Sequence, residues 1–344
     1  MAVYNRTRLT GLLFFMERNM ILPQSRYQTG YRPEKRRRGP IIIITIVSVL
    51  LVGAVLIFFL TPKKLPVDIS VDETTLSPGD TNEEGDVSPE ALWKQGDYSG
   101  VLSWSNRVLD QDPLSLEALI YHGFASFYYG IGQYTPEEQL PVFDDAIADL
   151  RRALLFDDVP MKAQIQYVLG KTYYHKGRYY ADLALRNLLA SEEEGYEGDD
   201  TLEYIGLAYG ELGQYQKSLD YFLKAVEKEP SDILYLTIGQ TYDKMELYKE
   251  AEAFLLKAIG ATEDEGIEQK SRFLLGSLYM DRGELEKAKS QYEKILETNK
   301  RSADAYYYLG EVFEKQNNRV KARAEWRRAL EIDPSHYGAL TKLY

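Results

Sequence analysis

The side chains best suited to chemistry in this sequence are few and far apart. The only histidines are His122, His175 and His336, and no His-x-x-x-His or Glu-x-x-His cluster gathers metal ligands. There is no cysteine, which excludes disulfides, thiolate catalysis and cysteine-held zinc or iron–sulfur centres. Nothing in the order of Ser, Asp and His suggests a nucleophile elbow. The glycine pair Gly130 and Gly132 has no strand before it to form a phosphate-cradling loop. Glu192 to Glu194 is an acidic run of the kind that pairs carboxylates or holds calcium, but in so acidic a chain a solvated connection is the simpler reading. The expectation is a protein that is not an enzyme, with no catalytic residue, metal, cofactor or small-molecule substrate. A hydrolytic enzyme is the remote alternative.

The elements that position these residues are repeated. Asp199 to Ser231 reads as two amphipathic helical segments, with Leu202, Ile205, Gly206 and Tyr209 in the first and Ser218, Phe222 and Ala225 in the second. They join around Gly213 and close at Pro230. The pattern returns near Gly170, Gly239, Gly276 and Gly310. A period of about 34 residues built from two helices signals stacked repeats. Spacings of seven recur at Gly170/Gly177, Gly206/Gly213 and Gly276/Gly283, and again at Ser218/Ala225, Ala251/Ala258 and Ala322/Ala329. Small residues at helix crossings let paired helices approach while Tyr, Leu and Phe fill the space between. This assigns a structural role to Gly170, Gly206, Ala225, Gly276, Gly310 and Ala329.

These repeats resemble the tetratricopeptide family over about residues 89 to 344. The resemblance implies an all-α fold, a right-handed α-solenoid of about seven helix pairs over residues 88–344, with a loop insertion at 130–142 and a closing helix at 337–344. It also implies that the first helix of each pair lines a concave, protein-binding groove. Carried onto this chain, that face comprises Tyr121, Phe124 and Tyr128, then Tyr167, Lys171 and Tyr174, then Glu203 and Tyr204. It continues through Gln240, Lys244, Phe273, Tyr307, Tyr308 and Glu311. Tyrosine offers large contact area and a polar handle, so the implied partner is a protein or peptide. The Lys and Asn clamp with which some members bind a peptide carboxylate is missing: the matching positions hold Tyr167 and Lys171, Glu203 and Leu207, Leu236 and Gln240. The alternative is a structural subunit of a larger membrane complex that uses the flanks and ends of the repeats.

Ahead of the repeats, residues 1–64 hold 11 Lys plus Arg against 2 acidic residues, and the remainder carries a formal net charge of −21. Residues 1–39 form a basic segment. Within 40–61, Ile41 to Leu60 is an uncharged run of 20 residues, long enough for a hydrocarbon core of roughly 30 Å. A signal peptide usually has a shorter apolar run and small residues at its end, so this one is expected to be an uncleaved single-pass anchor. Arg36 to Arg38 precede it directly, which places the amino terminus in the cytoplasm and the repeats on the extracytoplasmic side of a cell membrane. Residues 62–87 are rich in Asp, Glu, Ser, Thr, Pro and Gly and are expected to be a disordered tether. The acidic body is expected to repel nucleic acid and anionic lipid surfaces and to favour basic protein or peptide partners.

Overall fold

A computed structural model describes residues 88–196 and 198–344. The basic segment, the candidate anchor 40–61 and the tether 62–87 lie outside the described residues. Among the described residues there are fifteen α-helices, one 3-10 turn and no strand, and none of these helices is long and apolar enough to cross a membrane.

The helices fall into two compact units, one ending at Tyr204 and the other covering Ile205–Tyr344. The first holds α1 (Pro89–Gln95), α2 (Tyr98–Gln111), α3 (Leu116–Ile131), α4 (Pro136–Ala153), α5 (Lys162–Lys176) and α6 (Ala181–Glu193). The boundary falls within α7 (Thr201–Glu211). The second unit continues with α8 (Tyr215–Lys228), α9 (Asp232–Lys244), α10 (Tyr248–Ala261), α11 (Glu265–Asp281) and α12 (Leu285–Thr298). It ends with α13 (Ala303–Lys315), α14 (Arg319–Ile332) and α15 (Tyr337–Leu343).

The helix starts are written locally. Ser88 accepts from the Ala91 N–H with Pro89 in the first turn, and Ser231 and Ser302 cap α9 and α13 in the same way. Pairing depends on the small residues. A Cβ on Gly170 would lie 2.5 Å from Leu188 Cγ, one on Gly206 2.6 Å from Phe222, one on Gly276 2.5 Å from Tyr292, and one on Gly310 2.2 Å from Trp326 Nε1. Each glycine thus admits a large side chain from the second helix of its own pair. Ala225 and Ala329 are buried on those second helices, and the Ser218 hydroxyl donates to the Gly206 carbonyl at 2.7 Å.

Seven residues beyond each crossing glycine the chain turns, and Gly213 and Gly283 adopt left-handed φ of 72° and 71°. In two other pairs that turn is taken by Glu246 and Asn317, with φ of 62° and 59°. The sevenfold glycine spacing therefore joins two unrelated demands, close packing at one end and a left-handed turn at the other.

The insertion expected as a loop at 130–142 is helix at both ends. α3 runs to Ile131 and α4 begins at Pro136, leaving 132–135 as the connection. Thr135 and Glu138 cap each other's backbone N–H groups reciprocally, with Pro136 at the first position. The extra length therefore propagates as helix. At the other end of the chain, α15 packs Ala339 and Leu343 onto Phe313, Trp326 and Ala329.

Candidate functional site

In the unit ending at Tyr204 the first-helix residues expected to face solvent are enclosed. Tyr121, Phe124, Tyr128, Tyr167, Lys171, Tyr174, Glu203 and Tyr204 are each at most 3 % exposed. This corrects the reading of these eight side chains as an open groove. Their physical partners are other rings: Trp93 packs 5.5 Å from Tyr128 and 6.2 Å from Phe124, and Trp104 sits 5.8 Å from Tyr121. Tyr174 meets Tyr204 edge-on at 5.4 Å.

At the centre of this face lies a fully buried ion pair. Lys171, one residue past the crossing glycine of α5, places Nζ 2.9 Å from Oδ2 of Asp200. The Lys171 ammonium also donates to the Tyr167 hydroxyl at 3.0 Å, and that hydroxyl donates to the other Asp200 oxygen. Asp200 accepts the first backbone bond of α7 from the Tyr204 N–H at 3.0 Å, so its position is fixed by the helix start. The Lys171 charge stands 4.8, 4.7 and 5.5 Å from the ring centres of Tyr167, Tyr204 and Phe127, within cation–π range. His175 Nε2 lies 2.8 Å from the Tyr204 hydroxyl. Burial depresses the Lys171 ammonium below its usual range despite the attraction of Asp200, and burial raises the Tyr167 and Tyr204 phenols. Both charged side chains of the pair are fully enclosed, and the buried Glu203 carboxylate adds to the attraction on Lys171.

Asp200, Phe127 and Tyr196, whose ring lies tilted 5.2 Å from that of Tyr167, are not among the candidate site residues of the sequence. The available signal was the carboxylate at Asp200, immediately before a helix and one repeat beyond Lys171.

In the unit from Ile205 onward the same register is buried at Leu207 and Leu236 and opens only in part. Phe273, Tyr307, Tyr308 and Lys244 are partly exposed, whereas Gln240 is buried. Tyr308 stacks on Tyr292 at 5.3 Å and meets Phe273 at 5.9 Å and Tyr307 at 5.1 Å, making one aromatic patch from α11, α12 and α13. Tyr307 also packs 5.0 Å from the His336 ring. Burial raises the Tyr308 and Tyr307 phenols, so both stay neutral donors. Glu311 is paired with Lys342 at 2.8 Å, and Lys342 Nζ lies 5.3 Å from the Trp326 ring centre. Burial opposes the Lys342 charge, but the carboxylates of Glu311 and Glu314 outweigh it and raise its pKa. Lys244 stands 5.7 Å from the Tyr215 ring centre. The patch thus offers partly exposed aromatic area, with Glu311 and Lys342 close to Tyr307.

Two family models of the tetratricopeptide repeat match the chain, one at residues 143–192 and 273–337, the other at 205–232 and 234–265. The chain belongs to the tetratricopeptide-repeat family. Among tetratricopeptide-containing structures, the C-terminal part of a repeat protein from Cytophaga hutchinsonii superposes with a TM-score of 0.57 at 18% identity, covering 74% of this chain and 98% of that one. That likeness is one of fold. Protein O-mannosyl-transferase TMTC3 of Mus musculus is 28% identical over 142 residues, which are 38% of this chain and 15% of that protein. Regulatory protein RapG of Bacillus subtilis is 31% identical over 115 residues, 30% of this chain and 32% of its own length. The chain therefore spans a minor part of each of these relatives.

Proposed function

We propose that this tetratricopeptide protein is a non-catalytic scaffold that holds a protein or peptide segment on the aromatic patch of its second unit. The observation that carries this reading is the partly exposed cluster of Phe273, Tyr307 and Tyr308. Large rings that are held in place by neighbours and still reach solvent lose little entropy on binding, the property that makes Tyr common among residues that dominate interface energy. An amphipathic helix or extended segment laid along first-helix residues is the matching mode. Mannosyl transfer, named for the mouse relative, is not carried over, because the matched stretch takes in 15% of that protein.

The uncharged run Ile41 to Leu60 supports a second element of the proposal, that the scaffold is anchored in a membrane by one helix with the repeats on the extracytoplasmic side. The test is crosslinking in native membranes with mass spectrometry, comparing the full chain with Phe273→Ser and Tyr308→Ser combined. A stoichiometric partner lost in that variant, at unchanged helix content by circular dichroism, is the expected result. Undiminished crosslinking by the folded variant overturns the patch as the binding face. Protease added to intact cells or spheroplasts is expected to cut the repeats, and full protection reverses the proposed orientation.

A further inference from the structure

A second surface lies on the flank of the last repeat, away from the first-helix register. Arg319, Arg323 and Arg327 follow one another at intervals of four along α14, so they line one stripe of the helix, and all three are exposed. Arg323 and Arg327 line an open cleft of about 420 Å³ together with Leu330, Glu331, Leu343 and Tyr344. Tyr344 is exposed. Two neighbouring cations are paired, Arg328 with Glu325 at 3.0 Å and Lys342 with Glu311 at 2.8 Å. Neither Arg323 nor Arg327 makes an ion pair or side-chain hydrogen bond among the described residues, although residues 65–344 carry a net charge of −21.

The cleft gathers two unpaired arginines and one carboxylate, Glu331, around apolar and aromatic side chains, a net positive spot on an acidic protein. We infer that this cleft docks an acidic segment of a partner protein, with two carboxylates on the Arg323 and Arg327 forks and one apolar side chain against Leu330, Leu343 and Tyr344. Guanidinium binds carboxylate through two parallel N–H···O bonds, and one helical turn separates the two arginines by about 6 Å along the axis. Carboxylates two apart in an extended segment or four apart on a helix match that separation. The surrounding negative charge works against polyanions much longer than the cleft, such as nucleic acid or an anionic membrane. A short segment whose carboxylates land on the arginines meets less of that charge.

The probe is a short fluorescein-labelled peptide repeating Glu-Leu-Glu-Ala, followed by fluorescence anisotropy with the full chain in non-ionic detergent. Saturable binding is expected to weaken at least tenfold in Arg323→Glu/Arg327→Glu, and to stay within twofold in Lys300→Glu/Arg301→Glu, which changes net charge equally at another exposed site. The Gln-for-Glu peptide is expected to bind at least tenfold more weakly. The Phe273→Ser/Tyr308→Ser variant is expected to bind the probe normally, which separates this cleft from the aromatic patch. Equal weakening in the two charge-reversed pairs reduces the effect to bulk charge and overturns the inference. So does absence of peptide binding alongside arginine-dependent binding of dihexanoyl phosphatidylglycerol, which assigns the cleft to lipid. Arginine-dependent self-association in sedimentation without peptide binding assigns it to a second copy and likewise overturns the inference.

Discussion

Lys171 and Glu311 occupy the same place in their repeats, one residue past the crossing glycines Gly170 and Gly310, and meet opposite fates. Lys171 is sealed with Asp200 at 0 % side-chain exposure on both partners, and rings from α3, α5 and α7 surround its charge. Glu311 pairs with Lys342 at side-chain exposures of 22 % and 29 %. Three residues before Gly170 and Gly310, Tyr167 is buried and hydrogen-bonded to that ion pair, while Tyr307 reaches the surface. The lesson is that repeat register fixes which side of a helix a residue occupies, and the neighbouring helices fix whether that side is core or binding face.

The comparison can be broken most forcefully at the charges. Lys171→Met leaves Asp200 buried without its cation and is expected to cost about 3–5 kcal/mol, whereas Glu311→Gln costs about 1 kcal/mol or less. Urea denaturation followed by circular dichroism compares them, and equal losses at the two sites mean that the pairs do not differ in enclosure. The hydroxyls come next. Tyr167→Phe removes a donor to Asp200 and an acceptor from Lys171, for a loss of about 1–3 kcal/mol. The Tyr307 hydroxyl has no hydrogen-bond partner among the described residues, and Tyr307→Phe is expected to stay within about 0.5 kcal/mol of the parent.

Crossing glycines should erase the contrast. Leucine at either Gly170 or Gly310 drives side-chain atoms into Leu188 or Trp326, and each substitution is expected to cost about 1–3 kcal/mol. A tolerated leucine at one site alone would mean that the two pairs do not pack alike.

The smallest effect concerns acid stability of the open unit. Burial alone would raise the Glu252 pKa, but hydrogen bonds donated by Tyr279 at 2.7 Å and Arg282 at 2.6 Å hold it below the usual 4.5. A depressed carboxylate stabilises the fold fully above its unfolded pKa and loses that contribution as pH falls through the folded value. Glu252→Gln is therefore expected to lower stability modestly near neutrality and to flatten its further loss below about pH 4.5, where the parent's own contribution disappears. An acid-unfolding curve as steep as the parent's, read by circular dichroism, would remove Glu252 from the titrating groups.

The sequence by itself determined the repeat register. Caps, turn residues and crossing glycines act within one helix pair, so their spacing records the local geometry directly. Even the helical form of 136–142 was written in Thr135, Pro136 and Glu138, a capping signal that the excess length obscured. Which first-helix side chains became core was decided only by tertiary structure. The carboxylate that seals Lys171 stands 29 residues away at the start of α7, and the rings that enclose it come from three helices. Burial is a property of the neighbours a residue receives from elsewhere in the chain, and no periodicity within its own helix encodes them.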